Sequence, residues 1–179
     1  MALPLYKHVL LCCVLIGIIS GEKEHKFKLL KLEKSVEDTN DLQSDLHLEK
    51  DGEDEVTKIS GEFKQLKEMD DEWKVHIVVS YAEKPDDKYE ELAKFPSMGV
   101  CEVLGSYYKK HFYEKLKEYS NAPDPDTCPV TPETYRIKDY PFDASALTKY
   151  LQPGRYRIIS KLIKDEQIKL EYIAHAKVE

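Results

Sequence analysis

Apolar and polar side chains alternate along most of this chain, and the alternation constrains the fold more than any other feature. One run extends over residues 73–81 and another over residues 168–178. Because successive side chains of a β-strand point to opposite faces, such runs predict strands with one face on a core and the other in solvent. Turn residues such as Pro153-Gly154 separate further runs of this kind, at 27–32, 42–48, 57–63, 135–137 and 156–162. The sequence therefore predicts a mainly β protein of about seven antiparallel strands, arranged as a β-sandwich or barrel.

One segment follows a different period. Between Gly99 and Tyr119 apolar residues recur every four positions, and charged residues occupy the other sides. This spacing predicts an amphipathic helix at about residues 99–119, inserted between strands in the middle of the chain. Its apolar positions are Leu104, Tyr108, Phe112 and Leu116.

The first 21 residues have the pattern of a secretory signal peptide. An uninterrupted apolar run, Val9–Ile19, is followed by Ser20-Gly21 and then by charged residues. The run is shorter than the ~20 residues that span a bilayer as a helix, which favours a signal peptide over the alternative of a signal anchor. We therefore expect a secreted, extracellular protein with one domain, residues 22–179, and no stable membrane insertion.

Cleavage after Gly21 would remove two of the four cysteines and leave Cys101 and Cys128. In an oxidising compartment two cysteines most simply form one disulfide, and the alternative is a pair of free buried thiols.

Several classes of function lack the residues they need. A net charge of -7 does not fit non-specific nucleic-acid binding, so no nucleic-acid partner is predicted. Nucleophile-elbow, zinc-helix and glycine-rich phosphate motifs are missing, which predicts a protein that is not an enzyme, with no cofactor and no metal. The acidic residues around Gly52 lack the spacing of a calcium loop and are interpreted as a hairpin turn.

Aromatic residues are frequent on the faces predicted to point inward, among them Trp73, Tyr135 and Tyr156. They are compatible with a close-packed core and also with an apolar ligand pocket. Periodicity does not distinguish these two alternatives.

A set of short motifs in the second half of the chain resembles the ganglioside-activator branch of the ML lipid-recognition superfamily. The set comprises Cys128-Pro129-Val130, Thr134-Tyr135-x-Ile137, Tyr140-Pro141 and Leu151-x-Pro153-Gly154-x-Tyr156-Arg157-Ile158, with Cys101-x-Val103-Leu104 upstream. The sequence is most similar to secreted insect members of that branch, the chemosensory A and B type proteins. It lacks the other cysteine pairs of the ganglioside activator, so ganglioside specificity is not carried over.

The resemblance implies an immunoglobulin-like, two-sheet β-sandwich whose sheets separate to hold an acyl chain. It also implies that the helix gates the opening, that Cys101 and Cys128 form a disulfide, and that the protein acts in chemoreception of lipid-like pheromones. A lipocalin-like barrel is the alternative fold.

We therefore predict a secreted carrier of a lipid or another hydrophobic small molecule, which presents it to a membrane receptor. The residues predicted to form the ligand wall are Trp73, Ile77, Leu104, Tyr108, Phe112, Tyr135, Tyr156 and Leu170. The alternative is an extracellular protein-interaction module with a solid core, which would contact a receptor through its helix and tyrosines such as Tyr107 and Tyr113.

Overall fold

The computed structural model describes residues 26–51, 56–142 and 151–179. The predicted signal peptide, residues 1–21, lies outside these ranges. The strands are β1 (Phe27–Glu37), β2 (Leu42–Ser44), β3 (His47–Asp51), β4 (Val56–Gln65), β5 (Lys74–Ala82), β6 (Glu90–Lys94), β7 (Met98–Gly99), β8 (Thr134–Pro141), β9 (Gly154–Lys164) and β10 (Gln167–Val178). Between β7 and β8 lie α1 (Val100–Val103), a π-helical turn (Leu104–Tyr108), α2 (Lys109–His111) and α3 (Tyr113–Leu116), which together we call the helical segment.

The strands form two antiparallel sheets, which confirms the predicted mainly β sandwich. One sheet has the order β1-β10-β9-β5-β6, with β7 also paired to β5. The other has the order β2-β4-β3, with β8 paired to β4. Within the described ranges these are two separate sheets, unlike the single closed sheet of a lipocalin-like fold.

The first and last of these strands are partners. Phe27 of β1 pairs with Val178 of β10, and Lys26 and Glu179 exchange two backbone hydrogen bonds of 2.9 and 3.0 Å. β1 therefore forms one edge of the larger sheet and depends on β10 for its main-chain hydrogen bonds.

The buried residues form two clusters. The first contains Leu42, Met69, Trp73, Val130 and Leu170, and the second contains Leu29, Tyr156, Ala176 and Val178. A polar contact also joins the sheets, because the hydroxyl groups of Tyr172 on β10 and Ser44 on β2 lie 2.7 Å apart.

The alternation in β10 predicts its buried face except at one end. Leu170, Ala176 and Val178 are buried, whereas Ile168 faces solvent. A register shift between Ile168 and Leu170 explains the difference, because a β-bulge moves the residues before it onto the other phase.

The helix predicted at about 99–119 is present but is shorter and interrupted. The π-helical turn changes the angular spacing of its side chains, and Phe112 leaves helical geometry with φ -124° and ψ -39°. Phe112, a predicted wall residue, is 37% exposed, and it does not line the cavity described below. In the part of the chain that the structure describes, no helix has the length and apolar character to span a membrane.

Candidate functional site

A cavity of about 260 Å³ lies between the smaller sheet and the helical segment. Its inner surface is almost entirely apolar. The cavity adjoins the first core cluster, because Met69 and Val130 belong to both. Its other lining residues come from the smaller sheet, the helical segment and the loop that follows: Leu46, Phe63, Gln65, Val100, Leu104, Tyr108, Leu116, Ser120, Ala122, Pro123, Tyr135, Arg136 and Ile137.

The floor of the cavity is formed by alternate residues of two paired strands. Phe63 of β4 lies opposite Tyr135 of β8, and their stacked rings have centroids 6.4 Å apart. Gln65 and Ile137 occupy the next positions on the same faces, two residues along their strands. The period-2 pattern of each strand thus presents a continuous surface to the helical segment.

The roof is the inner face of the helical segment. Val100, Leu104, Tyr108 and Leu116 all border the cavity, and none of them is fully buried. Leu104 and Val100 also pack against the first core cluster, which positions the start of the roof. The ring of Tyr113 lies 5.7 Å from that of Tyr108 and supports it from the outside.

The roof is tied to the loop that follows it by one covalent bond and two polar contacts. Cys101 and Cys128 form a disulfide with their Cα atoms 5.7 Å apart. The Tyr108 hydroxyl donates a hydrogen bond of 2.9 Å to the Pro123 carbonyl. Lys109 Nζ lies 2.6 Å from a carboxylate oxygen of Asp126.

The loop is fixed in turn to the core. Met69 and Val130 exchange backbone hydrogen bonds of 2.9 and 2.8 Å, and Lys138 donates one of 2.9 Å to Tyr119. Helical segment, loop and floor therefore form one connected unit around the cavity.

Most polar groups of the lining are occupied by partners within the protein. Both amide hydrogens of Gln65 are engaged, by the carbonyls of Lys67 and Val130. The hydroxyl of Ser120 donates to Leu116, and Arg136 Nε donates to Glu62 on the surface. The amide hydrogens of Gln65 and the hydroxyl hydrogen of Ser120 fix the walls and are not available to a ligand.

Two tyrosines of the lining have altered acidity. Burial raises the pKa of Tyr108 and, secondarily, so does the neighbouring Tyr113. Burial also raises the pKa of Tyr135. Among the lining hydroxyls, that of Tyr135 makes no hydrogen bond within the described residues, so it is the one that could meet a polar group of a ligand.

The structure brings three of the predicted wall residues to the cavity, namely Leu104, Tyr108 and Tyr135. Trp73 and Leu170 are buried in the adjoining core cluster. These two belong to the solid core and do not border the cavity.

Two other predicted wall residues lie on the larger sheet, away from the cavity. Tyr156 is 1% exposed in the second cluster, where its ring packs 5.3 Å from that of Tyr81. Ile77 on β5 is half-buried and lies outside both clusters. The residues that the wall prediction missed include Phe63 and Ile137, which stand on alternating runs, and Leu116, which stands on the apolar helix face.

No group of three or more His, Cys, Asp or Glu side chains in residues 26–51, 56–142 and 151–179 could hold a metal ion. The apolar cavity likewise offers no charged cluster for acid-base chemistry. Its geometry suits the enclosure of an apolar molecule.

The chain was compared with known protein families and with curated proteins. A family model described as a protein of unknown function, DUF1091, matches residues 75–158. This range begins in β5, contains the helical segment with both cysteines of the disulfide, and ends in β9. No curated protein matches the chain.

Proposed function

We propose that this protein is a secreted, non-enzymatic carrier that holds an acyl or hydrocarbon chain in the cavity beneath the helical segment. The observation that carries the proposal is the apolar surface of the 260 Å³ cavity, whose amide and most hydroxyl donors are already bonded within the protein. Apolar walls of this kind are open to water, and an apolar ligand would remove them from it. The resemblance to the ML superfamily supports the same class of ligand and suggests chemosensory perception as its setting.

The cavity volume limits the ligand. It equals the liquid volume of about nine water molecules, at roughly 30 Å³ each. A chain segment with about eight buried methylene groups would gain about 6.4 kcal/mol from burial, at about 0.8 kcal/mol each. That gain alone corresponds to a Kd of about 20 µM at the tightest, before the cost of association is subtracted.

Trp73 provides an intrinsic probe of occupancy. It is 3% exposed, its indole N–H donates to the Glu68 carbonyl at 3.1 Å, and it packs in the same cluster as Met69 and Val130 of the cavity wall. Filling the cavity would therefore change the surroundings of the indole without displacing it. We expect saturable changes in Trp73 fluorescence on titration with octanoic, dodecanoic and hexadecanoic acid.

Native mass spectrometry of the secreted protein, before and after organic extraction, tests the same proposal directly. We expect the extracted sample to lose the mass of a lipid. Leu104→Phe, which adds volume to the roof, should weaken fatty-acid binding. The matched control is Leu92→Phe, because Leu92 is 51% exposed on β6 and distant from the cavity.

The alternative function is a protein-interaction module. Four exposed apolar side chains favour it. Leu92 lies on β6, Phe95 directly follows that strand, and Tyr107 and Phe112 lie in the helical segment. Absence of both a bound lipid mass and saturable quenching would contradict the carrier proposal and favour this alternative. Equal effects of Leu104→Phe and Leu92→Phe would place binding elsewhere than the cavity.

A further inference from the structure

The outer face of the larger sheet carries two adjacent rows of basic side chains. Directly paired residues of neighbouring strands point to the same face. One row contains Lys31, His175 and Arg157, and the next contains Lys28, Lys177 and Arg155. The cluster of cations contrasts with the net charge of -7 of the whole chain. Like charges directly opposite each other also destabilise a sheet unless another group neutralises them.

The acidic neighbours neutralise only part of these rows. Lys31 pairs with Glu33 and Lys177 pairs with Glu179, at 2.7 and 2.6 Å. His175 Nε2 lies 3.4 Å from Glu33. No carboxylate of the described residues pairs with Arg155 or Arg157, both of which are half-buried on the central strand β9.

Arg157 is held in place by an aromatic ring. Its guanidinium lies over the ring of Tyr89, 5.0 Å from the ring centroid, and the same ring meets His175 edge-on at 6.5 Å. Among the residues that the structure describes, none provides a hydrogen-bond partner for the buried Nε of Arg157. That nitrogen is shielded from solvent, so an anion would meet the terminal amino groups of the half-buried guanidinium, whose fork matches the oxygens of a phosphate or carboxylate.

A crevice adjoins the second basic row, whereas Arg157, Tyr89 and His175 lie outside its lining. This crevice, of about 630 Å³, is bordered by Gly154, Arg155 and Lys177. Glu83 and Glu179 stand at the same crevice, and Glu179 is already paired with Lys177. The crevice is lined by residues that lie apart from those of the apolar cavity.

We propose that Arg157, stacked on Tyr89 and flanked by Arg155 and His175, binds the oxyanion of a phosphate group. Several cations in two rows favour a dianionic phosphate over a single carboxylate. Tyr89 fixes the plane of the guanidinium, so that its terminal amino groups are oriented before the anion arrives. The phosphate could be free in solution or belong to a lipid headgroup.

The test is titration of the full chain with inorganic phosphate at constant ionic strength, followed by ¹H–¹⁵N NMR. The Arg157 Nε–H resonance is identified by its absence in Arg157→Lys. We expect saturable shifts of this resonance, and a loss of affinity of about tenfold or more in Arg157→Gln. The matched control is Lys161→Gln on the same face of the same strand, which removes an equal charge and should change the affinity less than about twofold.

A second arm measures cosedimentation with phosphatidylcholine vesicles, with and without phosphatidic acid. Binding that requires phosphatidic acid and Arg157, without a response to inorganic phosphate, supports the site and assigns its anion to a lipid headgroup. If neither probe binds, or if the two Gln variants weaken binding equally, the proposal is overturned. Should Arg157→Gln fail to fold, the Nε–H resonance of the unmodified chain decides, because a phosphate bound elsewhere would leave it unshifted.

Discussion

Removal of the disulfide should destabilise the protein mainly through the unfolded chain. Cys128 is exposed and Cys101 is half-buried, so replacement of both by serine removes little buried apolar surface. The double variant Cys101→Ser/Cys128→Ser also avoids the free thiol that a single replacement would leave. Its effect therefore reports the covalent link between the roof of the cavity and the loop that follows it.

The magnitude follows from the loop that the bond closes. The two cysteines are 27 positions apart. In the chain-entropy account a closed loop of this length restricts the unfolded state by about 3.6 kcal/mol at 25 °C. Residues 22–179 should have an unfolding entropy of about 0.33 kcal/mol/K, so we expect the melting temperature to fall by about 11 °C.

Thermal unfolding of the wild-type and double-variant proteins, followed by circular dichroism, measures this difference. Wild-type protein treated with a reducing agent is the control and should melt at the same temperature as the double variant. Urea unfolding should give a larger m-value for the variant, because the unlinked chain exposes more surface. A fall of less than about 3 °C, worth about 1 kcal/mol at this chain length, would refute the assignment of stability to loop closure.

Three further substitutions test contacts elsewhere in the structure. Tyr108→Phe removes the donor to a loop carbonyl and should cost about 1 kcal/mol in urea unfolding, while a spectrophotometric titration should lose one tyrosine transition that lies above the ordinary tyrosine pKa. Lys169 donates a hydrogen bond to Asp38 and thereby lowers the pKa of that carboxyl. The ionised carboxyl stabilises the fold at pH values above its pKa in the unfolded chain. This stabilisation is lost as the pH falls through its pKa in the folded protein. The difference in urea midpoint between wild type and Lys169→Met should thus be full at neutral pH and shrink below about pH 4; a difference that does not shrink would contradict this assignment. Gly154→Ala should destabilise by about 1–3 kcal/mol in thermal melts, because φ is +150° there and a Cβ would overlap the ring of Tyr81; a neutral result would show that the backbone can adjust.

The sequence predicted the strands best where one face packs on the core and the other faces solvent. The run at 168–178 corresponds to β10, and its alternation identified Leu170, Ala176 and Val178 as inward-facing. The strand β6 was missed because the side chains of an edge strand are largely exposed and show no alternation. Bulges, as at Ile168, depend on the partner strand and have no signal in a single segment.

The cavity could be predicted only in part. Apolar periodicity identified Leu104, Tyr108 and Tyr135, but it placed them with Tyr156 and Leu170, which lie in the solid core. Which inward residues leave a space depends on how the helical segment and its following loop pack on the smaller sheet. That packing is a tertiary property, and an inward-facing position looks the same in sequence whether it borders a core or a void.

The pairing of β1 with β10 leaves β1 unpaired while the rest of the chain is being synthesised. Phe27 meets Val178, so β1 has no main-chain partner until β10 has been synthesised. At about 5–20 residues per second this delay lasts on the order of 10–30 s, during which the strand is free to pair with other chains. Five of the eleven residues of β1 are lysine or glutamate, and charged side chains on a strand discourage its pairing with other molecules. The polar face of β1 therefore protects the nascent chain most during the interval before its own partner exists.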